Sequence, residues 1–343
     1  MASAPIDTTG AVRADPPPGL VTGMNEHEYA ALREGCGVLD RSERGKLALS
    51  GAGAVEFLNG QVTNELTTVL PGSGCYAAFL THKGKMLGDL RILALGDSND
   101  AAPSELLLDT ERVALQALFD MIRRFKVGYE VELQKRTIER GLLSLIGPNA
   151  ATVAGAEDLP EIEHAHVAVE IDGIAARAVR TDLGLDLICD AADTDALSAA
   201  LRARGATAVS EAATECVRIE HGRPRYGIDL DDSVIPQEAG LNERAVNFTK
   251  GCYVGQETVA RLYYKGKPNR HLRGLRLSEP AASGDELRLG ERPVGHLSSV
   301  AVSPGLGPIA LALVRREAEP GSVVSVGEHG ASAEVLALPF AAS

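Results

Sequence analysis

An α+β fold is predicted for this 343-residue chain from three observations. Strand-like and helix-like stretches are interleaved without the steady βαβ rhythm of a doubly wound parallel sheet. The C-terminal part reads as short strands separated by Gly and Pro turns, a small all-β module. Hydrophobic residues at 45% and charged residues at 24% match an ordinary folded, soluble protein. The length suggests about two domains, with three also reasonable.

Residues 1–19 end in Asp15-Pro16-Pro17-Pro18-Gly19 and read as a disordered tail. Asn25 with Glu28 three residues on forms an N-capping box for a helix over 26–34. Lys46–Leu49 reads as a strand, followed by a helical stretch through Val55, Phe57 and Leu58. Residues 75–95 read as a hairpin turning at 81–85, and Asp89 and Arg91, two apart on its return arm, share one face. A strand comes next at Glu105–Leu108. Thr110 is expected to cap a helix with Ala114, Leu118, Met121 and Ile122 on one side. Short strands are expected at Gly141–Ile146 and His166–Ile171, and capped helices at 194–204, stopped by Gly205, and at 211–221, capped by Ser210. Residues 223–276 show little regular alternation but dense polar chemistry. Ser278–Gly284 reads as a linker before the strands Arg292–Val302 and Ile309–Arg315.

Composition excludes several classes. A net charge of −13 argues against general affinity for nucleic acid or an anionic membrane. Seven Tyr, six Phe and no Trp leave few stacking platforms for single strands. No run approaches the roughly 18 apolar residues of a membrane span, and the N-terminus, with no positive charge before Arg13, does not read as a signal peptide. Cys36, Cys75, Cys189, Cys216 and Cys252 are scattered without a C-x-x-C pair, which points to a reducing, cytoplasmic compartment rather than disulfides or structural zinc. No phosphate-binding glycine motif and no ligand spacing of histidines is present.

The charge is uneven. Residues 244–276 carry eight basic side chains against the single acid Glu257, together with Phe248, Tyr253, Tyr263 and Tyr264. This window is either a solvated basic surface or a site for an anionic partner. Within it lies Lys250-Gly251-Cys252-Tyr253-Val254-Gly255-Gln256-Glu257. A thiol beside a lysine and glycine-rich backbone is the setting in which cysteines acquire thiolate character, although a free cysteine is more often a small buried hydrophobe.

That octapeptide resembles the K-G-C-Y-x-G-Q-E signature of the YgfZ family, folate-binding relatives of the glycine-cleavage T-protein. Arg218–Gly227 (RIEHGRPRYG) and Ile235–Leu241 (IPQEAGL) resemble the approach to the signature, and Arg261 with the 270–273 turn resembles the segment C-terminal to it. Val294–Ser299 and Ile309–Arg316 resemble the C-terminal barrel, so the likeness spans about residues 20–338. It implies a three-lobed T-protein-like (GcvT) fold: a folate-binding body over 20–276, made of two interleaved α+β lobes around a central channel, and a β-barrel over 277–343. The implied cofactor is tetrahydrofolate, or a polyglutamylated or one-carbon derivative. Implied folate contacts are Asp89, Asp186, Glu238, Tyr253 and Arg261, with Cys252 and Asp89 as the reactive groups.

Two departures from the T-protein pattern stand out. Its adjacent aspartate pair, one of them near the folate N10, is here Gly88 and Asp89. A carboxylate beside that amine could orient it and stabilise developing positive charge. Its G-Y-T-G-E stretch, whose glutamate accepts two N–H bonds from the pteridine, is missing, and Asp186 is the candidate substitute within residues 180–187. These departures weigh against aminomethyl transfer, and the leading expectation is what the resemblance to the YgfZ family implies, an accessory protein supporting iron–sulfur cluster assembly or repair. Its partners would be client enzymes or cluster carriers, with an indirect effect on tRNA methylthiolation. It would be a monomer with no direct contact to nucleic acid or membrane. The alternative is a true aminomethyltransferase, and turnover is left open.

Overall fold

The computed structural model describes residues 20–21, 24–97, 100–328 and 330–340, so the tail expected at 1–19 lies outside the described residues. Three sheets organise the chain. Gly74–Leu80, Met86–Leu95, Glu105–Thr110, Gly45–Ser50 and Glu132–Lys135 form a five-stranded sheet in that order. Thr207–Ala208, Gly37–Asp40, Arg140–Ile146, Gly184–Asp190, Ile174–Arg180 and His166–Ile171 form a six-stranded one. The chain crosses between the two sheets after Asp40 and returns at Arg140, which interleaves the lobes as expected. In the third sheet Arg292–Ser303, Glu286–Leu289, Val323–Val326, Ala331–Leu336, Arg270–Leu277 and Gly307–Arg315 pair in order, and the last pairs back to the first. Six strands thus close a barrel, and closure removes exposed sheet edges.

Local chemistry explains most elements. Asn25 Oδ1 accepts from Glu28 N at 2.8 Å and the Glu28 side chain reaches back to Asn25 N, completing the expected capping box of Glu26–Glu34. Ser210 accepts from Ala213 N to cap Glu211–Glu220. Gly205, at φ +103°, lies just beyond the helix Thr194–Ala203. Two expected caps do not form. Thr110 ends a strand, and its hydroxyl donates to the Asp89 carbonyl at 2.5 Å, so the helix Leu115–Phe125 begins through a single 3₁₀ turn instead. The Thr194 hydroxyl donates to the Ala191 carbonyl, and among the described residues no side chain caps that helix. Within residues 223–276 the chain also forms the helix Gln256–Lys265, which begins on the last two residues of the signature, and Arg270–Leu277 is already a barrel strand. Among the described residues no helix is long and apolar enough to cross a membrane.

The two body sheets pack face to face. Leu93 and Leu107 of one meet Leu142, Val179 and Ile188 of the other in a shared buried cluster. Alternate residues of a strand point to the same face. Two positions along the same strands, that face changes from apolar to Arg91 and Asp109 opposite Ser144 and Asp186. The change of side-chain type converts a packed interface into the floor of a cleft.

Candidate active site

The cleft has a volume of about 220 Å³ and lies between the two body sheets and the helix Glu211–Glu220. Glu163, Thr181 and Asp182 are shared with a second cleft of about 470 Å³. Arg223, Pro224 and Arg244 are shared with a third of about 240 Å³ beside the barrel strand Arg270–Leu277. The three adjoin one another through these shared walls.

Asp89 is buried on its floor. The Tyr76 hydroxyl donates to Asp89 Oδ2 at 2.6 Å, and the Thr110 hydroxyl holds the Asp89 carbonyl. Burial pushes the Asp89 carboxyl up to about 6, with the Tyr76 hydrogen bond opposing the shift and the nearby Glu111 carboxylate adding to it. Beside it, Arg44 donates to both oxygens of the fully buried Asp109, and Arg91 Nε donates to Asp109 Oδ2 at 2.6 Å. Burial of Asp109 disfavours its charge, but Arg44 and Arg91 outweigh that and hold its carboxyl well below the usual range. The other end of Arg91 donates to Asp186 Oδ2, while the Ser144 hydroxyl donates to Asp186 Oδ1 at 2.6 Å. Arg91 therefore bridges the two sheets.

The walls are basic. Arg41, Arg44, Arg91, Arg218, Arg223, Arg225 and Arg244 line the main cleft against Asp89, Glu111, Glu163, Asp182 and Asp186, a local excess of positive charge in a chain of −13. Arg225 Nε donates to Glu111 at 3.1 Å and Arg218 to Asp229 at 2.8 Å. Arg244 pairs with Glu163 and lies 5.1 Å from the centre of the Tyr76 ring. Planar guanidinium forks of this kind suit carboxylate groups of a ligand.

Of the folate contacts and reactive groups that the resemblance implies, Asp89 and Asp186 line this cleft, and Glu238, Cys252, Tyr253 and Arg261 do not. Glu238 is buried, accepting from Ile235 N and from the Arg270 guanidinium at 3.0 Å. Tyr253 packs in a core with Leu80, Met86 and Val259. Arg261 is exposed on the helix Gln256–Lys265. Nor is the 244–276 window one basic face: Arg244 turns to the cleft, Lys250 inward and Arg270 to Glu238, Arg273 is half-buried and Arg276 lies on the barrel beside Glu334, which leaves Arg261, Lys265 and Lys267 exposed together.

Lys250 does not activate the thiol. Its ammonium donates to the carbonyls of Asn59, Val62 and Asn64 at 2.7, 2.9 and 2.5 Å, and burial lowers its pKa to about 8. Gly255, at φ +86°, sits so close to the hairpin turn that a Cβ would stand 2.6 Å from the Thr81 carbonyl oxygen. Lys250 and Gly255 thus pin the signature loop, with the Gln256 amide donating to the Gly251 carbonyl and Glu257 exposed in the adjoining first helical turn. Cys252 is the exposed one of the five cysteines. Burial pushes the other thiols up, Cys36 to about 11 and Cys75 and Cys216 to about 12. Among the described residues no group of three His, Cys, Asp or Glu side chains is placed to hold a metal ion.

Packing also accounts for Gly88. A Cβ there would stand 2.6 Å from the Ala114 Cβ and 2.7 Å from the Phe79 ring, so the first aspartate of the T-protein pair has no room. Gly88→Asp is expected to destabilise by about 1–3 kcal/mol or more through overpacking, read as a fall in melting temperature. An unchanged melting temperature would show that this wall yields.

Sequence reading passed over Tyr76, Glu111, His164, Arg41 and Arg44. The local signals were Asp89 alternating with Arg91 and the Arg218–Gly227 flank of the signature; the rest of the cleft is assembled from segments far apart in the chain.

Comparison with known proteins fits this architecture. Residues 19–250 match the GCVT N-terminal domain family and residues 270–341 the glycine cleavage T-protein C-terminal barrel domain. An aminomethyltransferase of Mycobacterium leprae is 30% identical over 91% of this chain and 88% of its own length. One of Streptomyces avermitilis is 29% identical over 93% and 90%. The crystal structure of glycine cleavage system aminomethyltransferase T from Bartonella henselae superposes with a TM-score of 0.80 at 24% identity, over 92% of this chain and 89% of that one.

Proposed function

The chain belongs to the glycine-cleavage T-protein family, and we propose on that basis that it binds a reduced folate in the cleft and transfers a one-carbon unit to or from it. The observation that carries this reading is Asp89, a carboxylate buried on the cleft floor, held by Tyr76 and with its pKa pushed by burial up to about 6. The cleft suits such a ligand because it pairs that carboxylate with arginine forks for the glutamyl carboxylates and an unpartnered buried imidazole at His164. A reduced folate would supply the amine nitrogen that accepts or gives up the one-carbon unit. Asp89, fixed by Tyr76 and Thr110, orients that region and stabilises positive charge as it develops. Relatives named aminomethyltransferase favour the aminomethyl group as the unit moved. The test is calorimetric titration with tetrahydrofolate beside an aminomethyl-transfer assay with a lipoylated carrier. Binding with transfer supports the proposal. Binding without transfer removes the transfer step, and no binding removes the whole reading.

A second reading, support of iron–sulfur enzymes through client enzymes or cluster carriers, is favoured by exposed Cys252 in a signature loop resembling the YgfZ family. Because the thiol is exposed and outside the cleft, Cys252→Ser is expected to melt like wild type and bind tetrahydrofolate equally well. On the second reading it nevertheless fails to restore iron–sulfur enzyme activity in cells lacking the protein. Full restoration would remove that reading and leave the folate cleft as the functional centre.

A further inference from the structure

His164 carries two independent penalties that nothing in the free protein offsets. It is 5% exposed, and among the described residues neither ring nitrogen has a hydrogen-bond partner. It is also a non-glycine residue at φ +71°, in the left-handed region that side chains avoid. Buried polar atoms are normally satisfied, and unfavourable backbone of this kind persists where surrounding structure imposes it, commonly at ligand sites. Here the surroundings do impose it. His164 N donates to the Arg180 carbonyl, Arg180 N to the Ala165 carbonyl and His166 N to the Gly72 carbonyl, which pins the chain on both sides.

The ring lines the cleft beside Tyr76, with centroids 6.4 Å apart, and Tyr76 is the residue that holds Asp89. The Glu163 carboxylate is 3.6 Å from Nε2, beyond hydrogen-bond reach, and is already paired with Arg244. Burial keeps the imidazole uncharged, lowering its pKa to about 4, with Arg91 and Arg244 opposing protonation and Glu163 and Asp182 favouring it. A neutral ring offers one N–H donor and one lone pair, which matches the alternating acceptors and donors along an uncharged heteroaromatic edge. His166, two residues on, provides an internal contrast. It is equally buried, but Nε2 meets the Ser73 carbonyl at 3.1 Å and Nδ1 the Arg177 guanidinium at 3.0 Å. That is a satisfied structural histidine; His164 is not.

We infer that His164 is a ligand-binding residue that hydrogen-bonds an uncharged polar atom of the heteroaromatic part of the molecule held in the cleft. The inference rests on the reduced-folate reading and deepens it by naming a recognition residue. The test uses full-length His164→Asn, since asparagine tolerates a positive φ, with His166→Asn as control. Melting of the free protein and calorimetric titration with tetrahydrofolate are measured for each. His164→Asn is expected to melt at or above wild type and to bind tetrahydrofolate at least tenfold more weakly, whereas His166→Asn should melt lower and bind within twofold of wild type. If His164→Asn does not fold, His164→Gly serves in its place. A dissociation constant within twofold of wild type, or a shift no larger than that of the His166 control, overturns the inference. Absence of tetrahydrofolate binding by wild type itself overturns the folate reading and this inference with it.

Discussion

Asp89→Asn is expected to lower one-carbon transfer by about 10²–10³-fold, the range for loss of a preorganised charge-stabilising group, without lowering the melting temperature at pH 8. The folded carboxyl is raised from 3.8 to about 6. Between those values the folded state holds more proton than the unfolded state, so stability falls as pH rises through the window. Above it the ionised, buried carboxylate costs roughly 2–3 kcal/mol. Asparagine removes that cost and still accepts from Tyr76. Its stability advantage should therefore be largest at pH 8 and shrink toward pH 4. Wild-type transfer should fall as pH drops below about 6, while residual transfer by Asp89→Asn should lack that step. A full-rate variant, or one that keeps the same pH step, would remove Asp89 from the chemistry.

Arg91→Met is expected to cost more stability than any other substitution considered above. Arg91 joins Asp109 of one sheet to Asp186 of the other, and all three are buried. Removing one partner of a buried charge network leaves the others uncompensated, at a cost of about 3–5 kcal/mol. Arg44 still holds Asp109, so the orphan left most exposed to the loss is Asp186, whose remaining partner is Ser144. Urea unfolding should show a lower midpoint for Arg91→Met, and adding Asp186→Leu should recover part of it. A loss below about 1 kcal/mol would mean that water reaches the cluster and screens it.

Features legible in the chain alone are local or periodic. The capping box at Asn25 and Glu28 and the hairpin around 81–85 depend on residues within a few positions of one another. So does the shared face of Asp89 and Arg91, both of which reach the cleft. Such features are decided by backbone geometry and turn chemistry, which a short window contains. The resemblance of the signature and its flanks pointed to relatives of the glycine-cleavage T-protein, the family that residues 19–250 and 270–341 match, because a specific octapeptide can be read without any knowledge of packing.

The site itself is a product of long-range packing. Arg91 and Asp186 are 95 residues apart, and Arg225 reaches Glu111 across 114. Lys250 stands two residues from Cys252, which made it the natural activator of the thiol, yet its ammonium turns inward to three carbonyls around residues 59–64. Glu238 and Tyr253 look like ligand contacts in one dimension but are consumed by an ion pair and a core. His164 sits at a positive φ because hydrogen bonds from distant strands hold its neighbours, a constraint that no local propensity expresses. Neighbours in sequence share a backbone but not a direction. Where a side chain points, and whether its charge is already satisfied, depend on which distant segments pack against it.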